Sequence, residues 1–412
     1  MGYYWGRLGR EERLILALLN EDYIEAESLL ANLELISFPV VFDLGGYHRI
    51  LPLILKRLLD HFTPLLSEDF LHVARFLILQ QMTANKLHRQ ELLNTSKLLT
   101  EAGFEVMLMK GISYDPEETY PRTYGDVDLL VEENKIREIV ACLEEAGYEY
   151  QGSFILSREE KKDIEGQLHW NNQYQFKCPK STQVIEVHIN LFERDRIRLE
   201  NLKALLDRPE LFKEKRSWNE ELSCYLPGTE ATLMLLCLQC SLKRALYNNT
   251  FLLRHMADAA ILLERGVDGD GFLRLCREGE VCYHACFSLR LYGNISGRAL
   301  PEWMEKLEKE LTLHERFLMK KHLKCLKNLR NSRVLRRWQY NHLAPFIIGG
   351  TLRQRLKWLW HNYVPTRVQQ ENRYYKFGFR KESPLIFLTY FLNPFQTAWR
   401  CFKKVFGIKR PE

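Results

Sequence analysis

The sequence predicts an α+β fold in which a small mixed sheet is embedded between an N-terminal and a C-terminal helical region. Three observations indicate this class. Apolar residues recur at helical spacing over residues 10–100, short β-compatible runs surround one amphipathic helix over residues 104–192, and helical spacing resumes at Thr229. A chain of 412 residues is too long for one small core and suits two or three sub-domains.

The N-terminal helical region is expected over residues 1–100. Apolar residues repeat at helical spacing in four segments, which are residues 11–19, 22–35, 53–59 and 70–99. Pro39, Pro52 and Pro64 fall between these segments, where they would separate consecutive helices.

The sheet domain is expected over residues 101–200. A first strand is predicted over residues 104–109 and ends at Lys110-Gly111, and a loop rich in turn-forming residues leads to a second strand over residues 126–131. An amphipathic helix is predicted over residues 133–146, because Gly147 follows it as a typical C-terminal cap. Two further strands are predicted over residues 168–177 and 183–189.

A C-terminal helical domain is expected over residues 201–345, followed by a basic, aromatic-rich extension over residues 346–412. The candidate helices cover residues 230–246, 251–263, 271–278, 283–291 and 302–329. Asp258 lies four residues after Arg254, which suits either an ion pair along the helix or an aspartate that orients a site residue. Residues 351–412 hold 13 Lys and Arg against 3 Asp and Glu, although the whole chain carries a net charge of only +6.

Acidic residues occupy one face of each of two predicted strands. Side chains alternate between the faces of a strand, so Asp126 and Asp128 share one face and Glu186 and His188 share another. If the two strands are neighbours, Glu186 joins the aspartates, and the three carboxylates could hold one or two Mg²⁺ or Mn²⁺ ions near nucleotide phosphates.

Groups suited to phosphates and to a second substrate accompany this acidic set. Lys110 supplies a positive charge, Gly111 lets the backbone approach a phosphate closely, and Arg122 lies four residues before Asp126. His169 and His188 are candidates to line the substrate side of the pocket. The competing interpretations are a core or edge histidine for His169 and surface salt bridges for the two cations.

These motifs together resemble the uncharacterised bacterial nucleotidyltransferase family of the DNA polymerase β-like nucleotidyltransferase superfamily. The resemblance runs from about residue 50 to about residue 300 and rests on Lys110-Gly111, Tyr120-Pro121, Arg122, Asp126-Val127-Asp128-Leu129-Leu130-Val131 and Glu186-Val187-His188. It implies a mixed-sheet palm, Mg²⁺-dependent transfer of a nucleoside monophosphate, and metal roles for Asp126, Asp128 and Glu186. The Gly-Ser pair of the superfamily reads Lys110-Gly111-Ile112-Ser113 in this chain, so the resemblance implies a donor-phosphate role for Ser113.

The function expected from the sequence is therefore a two-metal nucleotidyltransferase. It would pass a nucleoside monophosphate from an NTP such as ATP to a hydroxyl or phosphate of a small molecule or peptide, in a biosynthetic pathway. Two alternatives remain open, which are transfer of a sugar from a nucleotide sugar at the same metal site and a non-catalytic nucleotide-sensing or peptide-binding module.

The remaining features bear on location and partners. The N-terminus lacks the apolar core of a signal peptide, and ten scattered cysteines show no disulfide-like spacing, so a reducing, cytoplasmic location is expected. No run of about 20 apolar residues predicts a transmembrane helix. Residues 384–410 are amphipathic and basic, which suits docking on the protein itself, on a partner or on a membrane surface. Basic and aromatic residues do not interleave, which argues against nucleic acid.

Overall fold

The computed structural model describes residues 8–114, 121–152, 173–191, 208–241 and 252–325, except residues 180, 182 and 209. Within these residues the chain forms 13 α-helices and one mixed sheet of seven strands. This is the α+β architecture expected from the sequence, with helices before and after the sheet. Residues 153–172 and 326–412 lie outside the described ranges, and with them the prediction for His169 and those for the C-terminal extension.

Five helices make up the N-terminal region, namely α1 (Arg10–Leu19), α2 (Tyr23–Leu30), α3 (Phe38–Tyr47), α4 (Leu51–Phe62) and α5 (Glu68–Glu101). Side chains cap two of them, because Asp22 accepts a hydrogen bond from the backbone of Glu25 and Ser67 accepts one from Phe70. Helix α3 has no counterpart among the expected segments. It contains Gly45, although glycine is a poor helix former. A Cβ added at Gly45 would lie 3.1–3.2 Å from atoms of Leu51, so glycine at this position allows α3 to approach α4 closely.

The sheet has the strand order β3-β4-β5-β2-β1-β7-β6. Its strands β2 and β5 pair in parallel, as do β1 and β7, and the other neighbours are antiparallel. The strands are β1 (Met107–Leu108), β2 (Val127–Leu130), β3 (Glu149–Gly152), β4 (Gln173–Lys177), β5 (Val184–His188), β6 (Ser217–Asn219) and β7 (Cys224–Leu226).

Strands β3, β6 and β7 were not expected, and the last two carry the sheet beyond residue 200. Runs of three or four residues are too short for a clear alternation of polar and apolar side chains, so their place depends on pairing with distant strands. Strand β7 joins the sheet through β1, where Tyr225 lies opposite Met107 and donates a backbone hydrogen bond to Val106.

The two faces of the central strands pack against different cores. Val127 and Leu129 of β2 and Ile185 and Val187 of β5 belong to a core shared with α5 and with α6 (Ile136–Glu145). Leu130, which points to the opposite face, belongs to a larger core formed with N-terminal and C-terminal helices. Asp128 and Glu186 therefore point toward the face covered by the two helical regions.

Seven helices follow β5, namely α7 (Glu210–Lys213), α8 (Thr229–Leu238), α9 (Leu253–Glu264), α10 (Gly269–Glu278), α11 (Cys282–Ser296), α12 (Trp303–Lys309) and α13 (Leu313–Cys325). The single helix expected over residues 302–329 is two helices within its described part. Thr312 caps the second one, since its hydroxyl accepts from the Glu315 backbone at 3.2 Å and the Glu315 carboxylate accepts from the Thr312 backbone at 2.8 Å. Among the helices described above, none is long and apolar enough to cross a membrane.

Candidate active site

The aspartate pair lies where the polypeptide enters β2. Asp126 immediately precedes the strand and is partly exposed, whereas Asp128 is within the strand and is only 1% exposed. The backbone of Met109 donates a hydrogen bond of 2.9 Å to the carbonyl oxygen of Asp128, which ties this part of β2 to the end of β1. The aspartates share a face because they are two residues apart in an extended segment.

The parallel pairing of β2 and β5 places Glu186 directly beside Asp128. The register aligns Asp128 with Glu186 and Leu130 with His188, and Glu186 and His188 are both buried. The His188 Nε2 lies 2.9 Å from Asp128 Oδ1 and 3.5 Å from Glu186 Oε2, so the imidazole bridges the two carboxylates. Asp128, Glu186 and His188 each offer a ligand atom within 4.8 Å of the others, a donor set that suits a divalent cation.

Two glutamines of the neighbouring strand β4 support Glu186. Gln175 lies opposite Glu186 and donates to its Oε1 at 2.5 Å, and Gln173 donates to the same oxygen at 3.3 Å. These amides hold Oε1 and leave Oε2 directed to His188. Our sequence reasoning did not single out either glutamine, although Gln173-Tyr174-Gln175-Phe176 alternates amide and aromatic side chains as a half-polar strand does.

A lysine supplies positive charge to the acidic cluster. Lys110 follows β1, and its ammonium group forms an ion pair with Asp128 Oδ1. Burial opposes the charged form of Lys110, but the charges of Asp128, Asp126 and Glu186 outweigh it and raise the lysine pKa. The negative charges of the cluster therefore stabilise a positive charge at the position of the Lys110 ammonium group.

The pKa values of the three carboxylates are shifted in different directions. Burial disfavours ionised Asp128, but the Lys110 charge and the His188 hydrogen bond hold its pKa well below the usual range. The pKa of Glu186 is also lowered, since the His188 hydrogen bond outweighs burial. Burial and the Asp128 charge instead raise the pKa of Asp126. These shifts favour ionised Asp128 and Glu186, with Asp126 as the carboxylate most easily protonated.

The loops around the cluster are fastened by Arg122. Its Nη2 donates to Asp258 Oδ2 of α9 at 2.8 Å, and its Nη1 donates to the carbonyl oxygen of Gly111. The Arg122 carbonyl in turn accepts a 2.7 Å hydrogen bond from Asn85 Nδ2 of α5. Asp258 thus pairs with Arg122, which supports the interpretation that this aspartate orients a site residue. Gly111 adopts a left-handed backbone conformation with φ +74°, which glycine accepts without strain.

A pocket of about 220 Å³ opens beside this cluster. Its wall contains most of the predicted site residues together with groups from both helical regions. The lining residues are Arg49, Lys110, Gly111, Arg122, Thr123, Tyr124, Gly125, Asp126, Asp128, Gln239, Arg254 and His255.

Two predicted residues differ from the rest. Ser113 is buried, and its hydroxyl has no hydrogen-bond partner among the described residues. His188, expected on the substrate side, is only 3% exposed and contacts the carboxylates from within the sheet. Its strand is central and covered on both faces, which a single sequence does not reveal. The pocket residues Arg49, Gln239 and His255 were not found by sequence reasoning, because nothing in the local sequence around them signals a position beside the sheet.

The fold and the site together define a class of protein. A mixed sheet that carries an aspartate pair, an aligned glutamate on a parallel neighbour and a Lys-Gly turn has the features expected of a nucleotidyltransferase palm. The sequence profile of the uncharacterised nucleotidyltransferase family matches residues 38–297, so the chain belongs to that family. A search of curated proteins finds no match to the chain.

Proposed function

We propose that the protein is a Mg²⁺-dependent nucleotidyltransferase that transfers a nucleoside monophosphate from an NTP to a hydroxyl or phosphate of a small molecule or peptide. The observation that carries this proposal is the parallel register of Asp128 with Glu186. It places Glu186 beside Asp128, and Asp128 lines a pocket together with Asp126, Lys110 and Gly111.

The residues present fit a divalent cation. Asp126, Asp128 and Glu186 supply the carboxylate oxygens that Mg²⁺ and Mn²⁺ prefer, and the Lys110 ammonium already pairs with one of them. When bound, the ion or ions would neutralise phosphate charge and lower the pKa of the attacking hydroxyl. Gln173, Gln175 and His188 would keep the carboxylates oriented, as the partners of metal ligands generally do.

The other residues have distinct proposed roles. Lys110 would contribute positive charge to the donor phosphates, and the left-handed turn at Gly111 would bring backbone groups close to them. Because both terminal nitrogens of Arg122 bind other parts of the protein, we assign this residue to positioning Gly111. Glu186, with its pKa lowered, is ionised as both a metal ligand and a proton acceptor must be.

Nucleotide binding gives the first test. Calorimetry with Mg²⁺ and each of ATP, GTP, CTP and UTP should show binding by the wild-type protein that weakens when Mg²⁺ is withheld. A chain that binds no nucleotide under these conditions would contradict the proposal. Asp270 is exposed and lies in α10, so Asp270→Asn serves as a matched control for Asp128→Asn.

Activity gives the second test. Asp128→Asn and Glu186→Gln should each lower transfer by about 10³-fold, since metal assistance contributes several kcal/mol to such reactions. The mass added to the acceptor separates the enzyme alternatives, because a nucleoside monophosphate and a hexose differ in mass. A nucleotide sensor would bind nucleotide without modifying any acceptor.

The location is also part of the proposal. Eight of the nine cysteines within the described part of the chain are free thiols, which fits the reducing compartment expected from the sequence. We therefore propose that the reaction takes place in the cytoplasm.

A further inference from the structure

The pocket has a second wall, which consists of residues from the helical regions. Arg49 lies between α3 and α4, and Arg254 lies in the first turn of α9. The preceding residues are joined, because the Leu253 backbone donates a hydrogen bond of 3.4 Å to His48 Nδ1. The helical regions before and after the sheet thus bring one arginine each to the same pocket.

Arg49 has an unusual backbone conformation, and its side chain lies beside Gly125. It is an exposed residue with a left-handed backbone (φ +56°), a conformation that residues other than glycine rarely adopt. Its guanidinium Nη1 lies 3.4 Å from where a Cβ on Gly125 would be, so the absence of a side chain at Gly125 leaves room for it. Gly125 directly precedes Asp126, which puts Arg49 beside the acidic cluster.

The charges of the pocket indicate an anionic ligand for this wall. The lining holds four lysine and arginine side chains, which are Arg49, Lys110, Arg122 and Arg254, against the two aspartates Asp126 and Asp128. Positive charge therefore exceeds negative charge around the pocket. Arginine binds phosphate oxygens in a bidentate manner, so two arginines can bind neighbouring phosphates.

The Lys110–Ser113 turn supplies only part of a phosphate-binding site. Ser113 is buried and is not among the residues that line the pocket, whereas Lys110 and Gly111 are. Helix α9, which carries Arg254, packs against this turn. The arginines are therefore placed to contact phosphates held at Lys110 and Gly111.

We propose, as an extension of the proposed function, that Arg49 and Arg254 bind the β- and γ-phosphates of the donor and make the site selective for NTPs over nucleotide sugars. In the transfer, the acceptor hydroxyl oxygen bonds to the α-phosphorus and loses its proton to a carboxylate or water. The bond from that phosphorus to its bridging oxygen breaks, and the electron pair leaves with pyrophosphate. A nucleotide sugar has no γ-phosphate, and its β-phosphate is esterified, so it offers fewer charged oxygens to the arginines.

The test compares affinities of the full-length chain for donors of different phosphate number. Calorimetry in the presence of Mg²⁺ measures binding of each NTP, of the matching nucleoside monophosphate and of inorganic tripolyphosphate. The variants are Arg49→Gln, Arg254→Gln and Arg254→Lys, the last of which keeps the charge if Arg254 supports folding. Arg75→Gln in α5 and Arg265→Gln at the end of α9 are controls at exposed arginines outside the pocket.

Each Gln variant should bind the NTP and tripolyphosphate about 10- to 100-fold more weakly, the loss expected for a hydrogen bond to a charged group. Binding of the monophosphate should change by less than about threefold, and the controls should match wild type. Arg254→Lys should recover part of the NTP affinity but less than wild type, because lysine lacks the bidentate geometry.

The other outcomes overturn distinct claims. If wild type binds no NTP, the proposed function fails and this inference fails with it. If wild type binds an NTP and the Gln variants bind it equally well, only the arginine assignment fails. Equal losses for the triphosphate and monophosphate would place the arginines elsewhere on the nucleotide. A loss confined to tripolyphosphate, with NTP affinity unchanged, would show that the arginines do not contact the phosphates of a bound NTP.

Discussion

The buried ion pair between Arg122 and Asp258 holds the pocket loop against α9 and gives a quantitative prediction. The two side chains are 2% and 0% exposed, and the Nη2–Oδ2 distance is 2.8 Å. Asp258→Asn keeps the shape of the side chain but removes its charge. It leaves the Arg122 guanidinium in a buried site without its carboxylate, a change that costs about 3–5 kcal/mol in other proteins.

Lys56 and Asp60 provide a matched control. Their ion pair has nearly the same length, 2.9 Å, but the side chains are 49% and 45% exposed. Asp60→Asn should therefore lower the free energy of unfolding by less than about 1 kcal/mol, as at other exposed pairs. Because substitution and distance are matched, the difference between the variants isolates burial.

The assay is equilibrium unfolding in urea, followed by circular dichroism and tryptophan fluorescence. We expect Asp258→Asn to shift the midpoint far more than Asp60→Asn, with similar slopes. The double variant Arg122→Met/Asp258→Leu should be more stable than Asp258→Asn, because it removes the stranded charge together with its partner. Equal effects of Asp258→Asn and Asp60→Asn, or a double variant less stable than Asp258→Asn, would refute the reasoning.

Three further predictions concern the turn, the core and the carboxylate support. Gly111→Ala should lower the free energy of unfolding by about 1 kcal/mol because of the left-handed backbone at φ +74°; Gly46→Ala, in a helix with open space around it, should raise the free energy of unfolding by about the same amount. Burial lowers the pKa of His284 to about 4, so the unfolded chain binds the extra proton first as pH falls from about 6.5. His284 alone should lower the unfolding free energy by up to about 3 kcal/mol between pH 6.5 and 4, and His284→Gln should remove this share of the pH dependence, as urea titrations at each pH would show. Gln175→Leu should weaken Mg²⁺ binding about 10-fold in calorimetry by freeing Glu186 Oε1, and unchanged affinity would contradict the supporting role.

Local patterns predicted a substantial part of the fold. The long helix α5 and the helix α6 were both expected, because their apolar residues recur over several turns and Gly147 marks the end of α6. Strand β2 was expected from its apolar alternation, although pairing restricts it to Val127–Leu130. Strands β6 and β7 could not be expected, since three residues are too few to show a period.

The candidate site divides in the same way. Asp126 and Asp128 share a face, as do Glu186 and His188, and this follows from the sequence because the alternation of side chains is a property of each strand alone. Their meeting depends on a parallel pairing in one register out of many, and that choice is made by the packing of Val127, Leu129 and their neighbours against distant helices.

Contacts between distant segments were decided only by the tertiary structure. Asp258 pairs with Arg122, which lies 136 positions away in the sequence, and the local pattern of α9 does not predict that contact. Arg49 and Arg254 likewise line one pocket because distant segments pack together, and a hydrogen bond from Leu253 to His48 joins the residues that precede them. Local periodicity reports which side of an element is buried, whereas the identity of the partner depends on how all the elements pack together.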